Sequence, residues 1–128
     1  MTIIRKANKD DMPFIYSTWL KGQYYGHEWF SSMDRKTYYA NYSKYLEALF
    51  AKNSTEITVL VLKDDPEVII AYAVYTSPQA LHWVFTKQAW RGKGHAAKLL
   101  LGSITTVKSI TESGDAIARN KGWKFDPF

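Results

Sequence analysis

The sequence contains no cysteine. That excludes a disulfide framework and any thiolate metal site, and no metal is expected from the residues present. Its longest apolar runs, such as Val59-Leu60-Val61-Leu62, fall far short of the ~20 residues a membrane span requires. The first residues, MTIIRKANKDD, lack the apolar core of a secretory signal. Repeats, low-complexity tracts and linkers rich in Pro, Gly or Ser are absent too, so disorder is not expected. Together these absences describe one soluble, cytoplasmic domain covering residues 1–128, with no membrane contact.

Apolar residues make up 46% of the 128 positions, enough to fill one core. Net charge is +5, and aromatics reach 16%. A basic, aromatic chain suits a nucleic-acid surface. It suits a phosphate-rich small ligand equally well, because such a ligand needs a positive rim.

Periodicity organises the chain. Thr2–Ala7 reads as a strand. Asp10-Asp11 ahead of Pro13 is helix-start chemistry, and Phe14, Ile15, Trp19 and Leu20 follow at helical spacing to a stop at Gly22. Residues 23–33 read as an aromatic-rich loop. Asp34 is placed to cap a second helix reaching Lys52, with Tyr38, Tyr42, Tyr45, Leu46, Leu49 and Phe50 as its apolar stripe. Ile57–Lys63 and Val68–Tyr75 form a hairpin, and Leu81–Lys87 is a third run. After Arg91-Gly92-Lys93-Gly94 a helix is expected over His95–Leu101. Strand Thr106–Thr111, helix Asp115–Lys121 and strand Trp123–Phe125 complete the order β-α-α-β-β-β-α-β-α-β. This is an α/β (mixed α+β) fold with a mixed, mostly antiparallel central sheet flanked by helices.

The transition LHWVFTKQAWRGKGHAAKLLL carries the strongest chemical signal. A strand ends, a turn with two glycines follows, and a helix-prone stretch comes next. Gly92 and Gly94 let the backbone approach a ligand closely, and amides at a helix start lack intrahelical acceptors. Such amides favour phosphate, with charge from Lys87, Arg91 and Lys93 beside them. The Walker A spacing is absent. Gly92, Gly94 and Ala97 fit a dinucleotide register, but the motif sits too late for a second βαβ unit.

The stretch resembles motif A of the GNAT acetyltransferases, Q/R-x-x-G-x-G/A, which Arg91-Gly92-Lys93-Gly94-His95-Ala96 satisfies. Trp90 stands where that family commonly has Tyr or Phe, and the order of elements is also similar. FIYSTWLKG and LHWVFTK further resemble short GNAT-like proteins of bacteriophages, which would place the chain in the host cytoplasm.

The resemblance implies an acyl-CoA-dependent N-acyltransferase that passes acetyl from acetyl-CoA to an amine by direct attack in a ternary complex. It assigns the coenzyme A pyrophosphate to the turn, Arg91, Gly92, Lys93, Gly94, His95 and Ala96. It assigns the pantetheine to the backbone of Val84, Phe85 and Thr86, with a bulge there aiming an amide at the thioester carbonyl. An ammonium acceptor, with a pKa near ~10, must lose a proton before it attacks. His82 is the first candidate base, with a hydrogen-bonded structural histidine as its alternative reading. By strict alternation His82 faces away from Leu81, Trp83 and Phe85 unless a bulge re-aims it. Glu28 is the second candidate. Many members carry a late Tyr that protonates the thiolate; Ala118 stands there, leaving Ser109 or Asn120 to assist. The acceptor's carrier is expected on Tyr24, Tyr25, Trp29 and Phe30. The alternative is an inactive GNAT-like protein that binds nucleic acid or assists assembly.

Overall fold

The computed structural model describes residues 1–26, 28–100, 104, 106–107 and 124–125. Strand β1 (Thr2–Lys6) leads through a 3-10 turn (Lys9–Asp11) into α1 (Met12–Gly26), a short α2 (Glu28–Ser31) and α3 (Arg35–Ala51). Strands β2 (Glu56–Leu62), β3 (Asp65–Ser77) and β4 (Ala80–Thr86) form a meander, followed by 3-10 turns at Gln88–Trp90 and Ala96–Leu99. Two short strands, β5 (Thr106–Val107) and β6 (Lys124–Phe125), complete the described elements. The six strands lie side by side in chain order. β1 to β4 are antiparallel, whereas β5 runs parallel to β4 and β6 parallel to β5. The expected mixed, mostly antiparallel sheet is present. Among the described residues no helix is long and apolar enough to cross a membrane. The expected helix Asp115–Lys121 lies outside the described residues.

Helix entry is capped earlier than the Asp10-Asp11 pair implies. Asn8 is the N-cap: its side chain accepts from the Asp10 amide, and the Asp11 carboxylate accepts from the Asn8 amide at 2.7 Å. Arg5 grips the same carboxylate through both terminal nitrogens, at 2.7 and 3.0 Å, and donates to the Pro66 carbonyl at 2.8 Å. One guanidinium therefore ties β1, the helix start and the β2–β3 turn together.

Helix α1 does not stop at Gly22. A Cβ there would lie 3.2 Å from Cζ2 of Trp83. Trp83 stacks on Trp19, one helical turn earlier, at 5.4 Å between ring centroids and 7° between planes. The glycine is a point of close approach between helix and sheet, and its propensity cost of about 1 kcal/mol is outweighed by that contact. The expected loop over residues 23–33 is correspondingly mostly helical, because Tyr24 is buried and donates its hydroxyl to the Met33 carbonyl. Helix α3 is capped by Asp34, as its sequence indicates. Tyr38, Leu46 and Leu49 of its stripe are buried, and the Tyr38 hydroxyl reaches the Leu20 carbonyl at 2.8 Å. Burial pushes that phenol's pKa well above its ordinary value.

The sheet is covered on both faces. Val59, Val61, Tyr72, Val74 and Trp83 pack against the helices, while Leu60, Ala73, Tyr75 and Leu81 meet Leu99 and Ile104 on the other side. This explains the unbroken apolar runs in β2 and β3, where alternation is lost because both faces are dry.

Two outcomes follow from these contacts. Asp11→Asn is expected to lower the urea-unfolding free energy by about 1–3 kcal/mol near neutral pH. Arg5 holds the Asp11 carboxyl below its ordinary value of 3.8. The stabilisation is therefore present above that value and lost as pH falls through the lower folded-state pKa, so wild type and variant should draw progressively together as pH falls below about 4. Gly22→Ala, despite alanine's better helix propensity, is expected to destabilise by about 1 kcal/mol or more, since Trp83 would have to shift within its stack on Trp19 to admit the methyl group. A raised melting temperature would show that the ring has room.

Candidate functional site

The turn after β4 is built from the backbone. The Lys87 amide extends the β3–β4 ladder by donating to Ile70 at 2.9 Å, and the Gln88–Trp90 turn then reverses the chain. Gly92 and Gly94 both have left-handed backbones, with φ of 80° and 77°. They are also exposed, together with Arg91 and Lys93. A Cβ built on either glycine would meet nothing within 4 Å, so open space lies over the turn. Three cations rim it, each held over an aromatic face. Lys87 Nζ lies 5.2 Å from the Phe14 ring, the Arg91 guanidinium 5.8 Å from Phe85, and Lys93 Nζ 5.6 Å from Trp90. Arg91 Nε also donates to the Thr86 carbonyl at 2.9 Å, bracing the turn against the end of β4.

The expected helix over His95–Leu101 is not formed. In its place stands a 3-10 turn, Ala96–Leu99, after which Leu100 is extended. Leu99 is buried against the sheet, and its carbonyl accepts from the Tyr75 hydroxyl at 2.8 Å. That anchor draws the chain away before an α-helix can propagate, overriding the propensity of the Ala/Leu run. A four-residue turn has little dipole, so what this turn offers an anion is its loop amides and the cationic rim.

Strand β4 holds the other candidates. Val84, Phe85 and Thr86 sit in regular register with Ala73, Tyr72 and Ala71. The bulge lies earlier than expected. Val74 pairs with Trp83 and Tyr75 with Leu81, leaving His82 as the extra residue. Leu81 therefore enters one core and Trp83 the other, which strict alternation forbids. A second register shift, between Tyr75 and Ser77, leaves Thr76 as the extra residue of β3, and the two irregularities bring His82 and Thr76 together. Thr76 Oγ1 and His82 Nε2 are 2.9 Å apart. The imidazole is 7% exposed and Thr76 is half-buried. β5 pairs with β4 only at Ala80 and Leu81, and among the described residues no strand lies on that side of β4 beyond Leu81.

The aromatic candidates separate. Tyr24 belongs to the core, while Tyr25 is exposed on the last turn of α1. Arg35 lies 5.9 Å from the rings of both Tyr25 and Tyr39. Phe30, in α2, packs edge-on against Tyr38 and Tyr42. Glu28 is exposed in the first turn of α2, and Trp29 lies in the same helix. Ser109, Asn120 and the segment holding Ala118 fall outside the described residues. Sequence reasoning missed Thr76 and Arg35. Thr76 and His82 each lie at a register shift, so alternation does not bring them together and only the tertiary structure shows the pair.

No sequence-family model matches the chain, and no curated protein matches it. Solved structures do. A possible acetyltransferase of Clostridium difficile superposes with a TM-score of 0.63 at 15% identity, over 98% of this chain and 93% of that one. An acetyltransferase of the GNAT family from Staphylococcus aureus gives 0.52 at 15%, over 78% and 62%. The chain has the GNAT acetyltransferase fold. Another structure with this fold, a predicted acetyltransferase of Clostridium acetobutylicum solved with acetyl-CoA, gives 0.58 at 19% identity, over 97% and 90%. In this chain the open turn is tied to the end of β4 by the Arg91–Thr86 bond.

At Gly92 the backbone alone is constrained. Gly92→Ala is expected to cost about 1–2 kcal/mol in chemical denaturation, from the left-handed φ and not from crowding. Gly92→Asn should cost clearly less, because Asn tolerates that region. Equal losses for the two would point to a steric cause.

Proposed function

We propose that the protein is an acyl-CoA-dependent N-acyltransferase, with acetyl-CoA as donor and an amine as acceptor, acting in the cytoplasm. The observation that carries this reading is the exposed turn with two left-handed glycines and a three-cation rim, tied to the end of β4 by the Arg91–Thr86 bond. The open space over both glycines fits a diphosphate approaching the backbone. Acetyl-CoA bound by a neighbour of the same fold supports the choice of donor.

On this reading the amides from Gly92 to Ala96 receive the pyrophosphate, and Lys87, Arg91 and Lys93 neutralise phosphate charge. The backbone of Val84, Phe85 and Thr86 holds the pantetheine. A donor lying along β4 from that turn brings its thioester toward His82, because the strand between Thr86 and His82 spans about 13 Å. His82 is the leading base, ahead of Glu28, with Ser109 or Asn120 serving the departing thiolate. Tyr25 and Trp29 belong to the acceptor side, with Phe30 and Tyr24 packing beneath.

Titration calorimetry and thermal melting test the reading. Acetyl-CoA at about 100 times its dissociation constant should stabilise the wild type by about 2.7 kcal/mol. Gly94→Glu should abolish binding while the protein stays folded, since a carboxylate on that open turn repels the pyrophosphate. Unchanged affinity in the variant would remove the turn from the binding site. Absence of binding by the wild type would end the proposal.

A further inference from the structure

We infer that Thr76 is a catalytic residue that passes the acceptor's proton to His82; this rests on the acyltransferase reading above. The imidazole lies at the bulge and is only 7% exposed, so a bulky amine has little access to it. Thr76 is half-buried, and its Oγ1 lies 2.9 Å from Nε2. Its place, at the end of β3 next to the Pro78–Gln79 turn, is at the opposite end of β4 from the glycine turn. A donor entering over Gly92 and Gly94 leaves that end to the acceptor. The hydroxyl is therefore the group that meets the nucleophile, and the buried ring is the store for its proton.

The step balances as follows. The lone pair of the neutral amine forms the C–N bond at the thioester carbonyl carbon. A proton on that nitrogen moves to Thr76 Oγ1 as the hydroxyl's own proton moves to His82 Nε2. The C–S bond breaks with its electron pair on sulfur, and the imidazolium returns its proton to the thiolate or to water. The relay requires that the threonine hydroxyl donate to Nε2 in the resting state. The neutral ring must then carry its hydrogen on Nδ1. The opposite arrangement, in which Nε2–H donates to Thr76, makes a structural pair that cannot take the proton by this route.

Two measurements decide. Nitrogen-15 NMR of the imidazole in the wild-type protein reads the tautomer without any turnover. Hydrogen on Nδ1 is expected, and hydrogen on Nε2 overturns the relay. Acetylation is then measured with the best substrate from an amine screen. Thr76→Val keeps the shape and removes the hydroxyl, so its rate should fall by at least about tenfold. Thr76→Ser restores the hydroxyl and should recover most of the rate. The double variant with His82→Gln should be little slower than either single one, because the two groups act as a unit. Acetyl-CoA affinity should stay near wild type throughout. A Thr76→Val rate equal to wild type, or a Thr76→Ser rate as low as that of Thr76→Val, overturns the inference while leaving the acyltransferase reading in place. Failure of the wild type to bind acetyl-CoA removes both.

Discussion

Everything at the candidate site depends on the stack of Trp83 on Trp19. Those indoles meet with nearly parallel planes, and Gly22 clears the space for them. The contact docks α1 on β4 and demands that Trp83 face the helices. Leu81, two residues earlier, is needed in the opposite core. A regular strand cannot meet both demands, because residues two apart share a face. The extra residue at His82 resolves the conflict. The bulge is thus a consequence of packing two apolar side chains on opposite faces, and it leaves one polar ring turned toward Thr76.

The same economy explains the aromatic content. Among the described residues the only large aromatics well exposed are Tyr25 and Tyr45. Most of the others are interlocked, as in the Phe30, Tyr38 and Tyr42 group or the Phe14, Tyr72 and Phe85 group. Where phenols are buried, their hydroxyls reach main-chain carbonyls of a neighbouring element, as Tyr38 does to Leu20 and Tyr75 to Leu99. Among the described side chains the aromatic content therefore goes mostly into the core, with three cations held over aromatic rings at the turn.

The turn and the bulge set two different environments along one strand. The turn is exposed, built from glycine backbone and cation side chains held over aromatic rings. At the bulge the environment is dry and the polar atoms are held at fixed distances. A charged, well-hydrated ligand portion suits the first environment, and proton transfer suits the second.

Much was legible from residue order alone. The strand runs, the Asp34 cap and the two-glycine turn follow from local chemistry: β-branched residues, a carboxylate ahead of free amides, and glycine where φ is positive. Local chemistry failed where a distant group outvoted it. Gly22 reads as a stop, yet it lies inside α1 because Trp83, far along the chain, requires its missing side chain. Residues 95–101 read as a helix, yet Leu99 is held by the sheet and the chain turns away after one 3-10 turn. His82 could be placed on its strand from the sequence, but not on its face. Alternation fixes a face only while the register is regular, and register breaks where packing on two sides demands it.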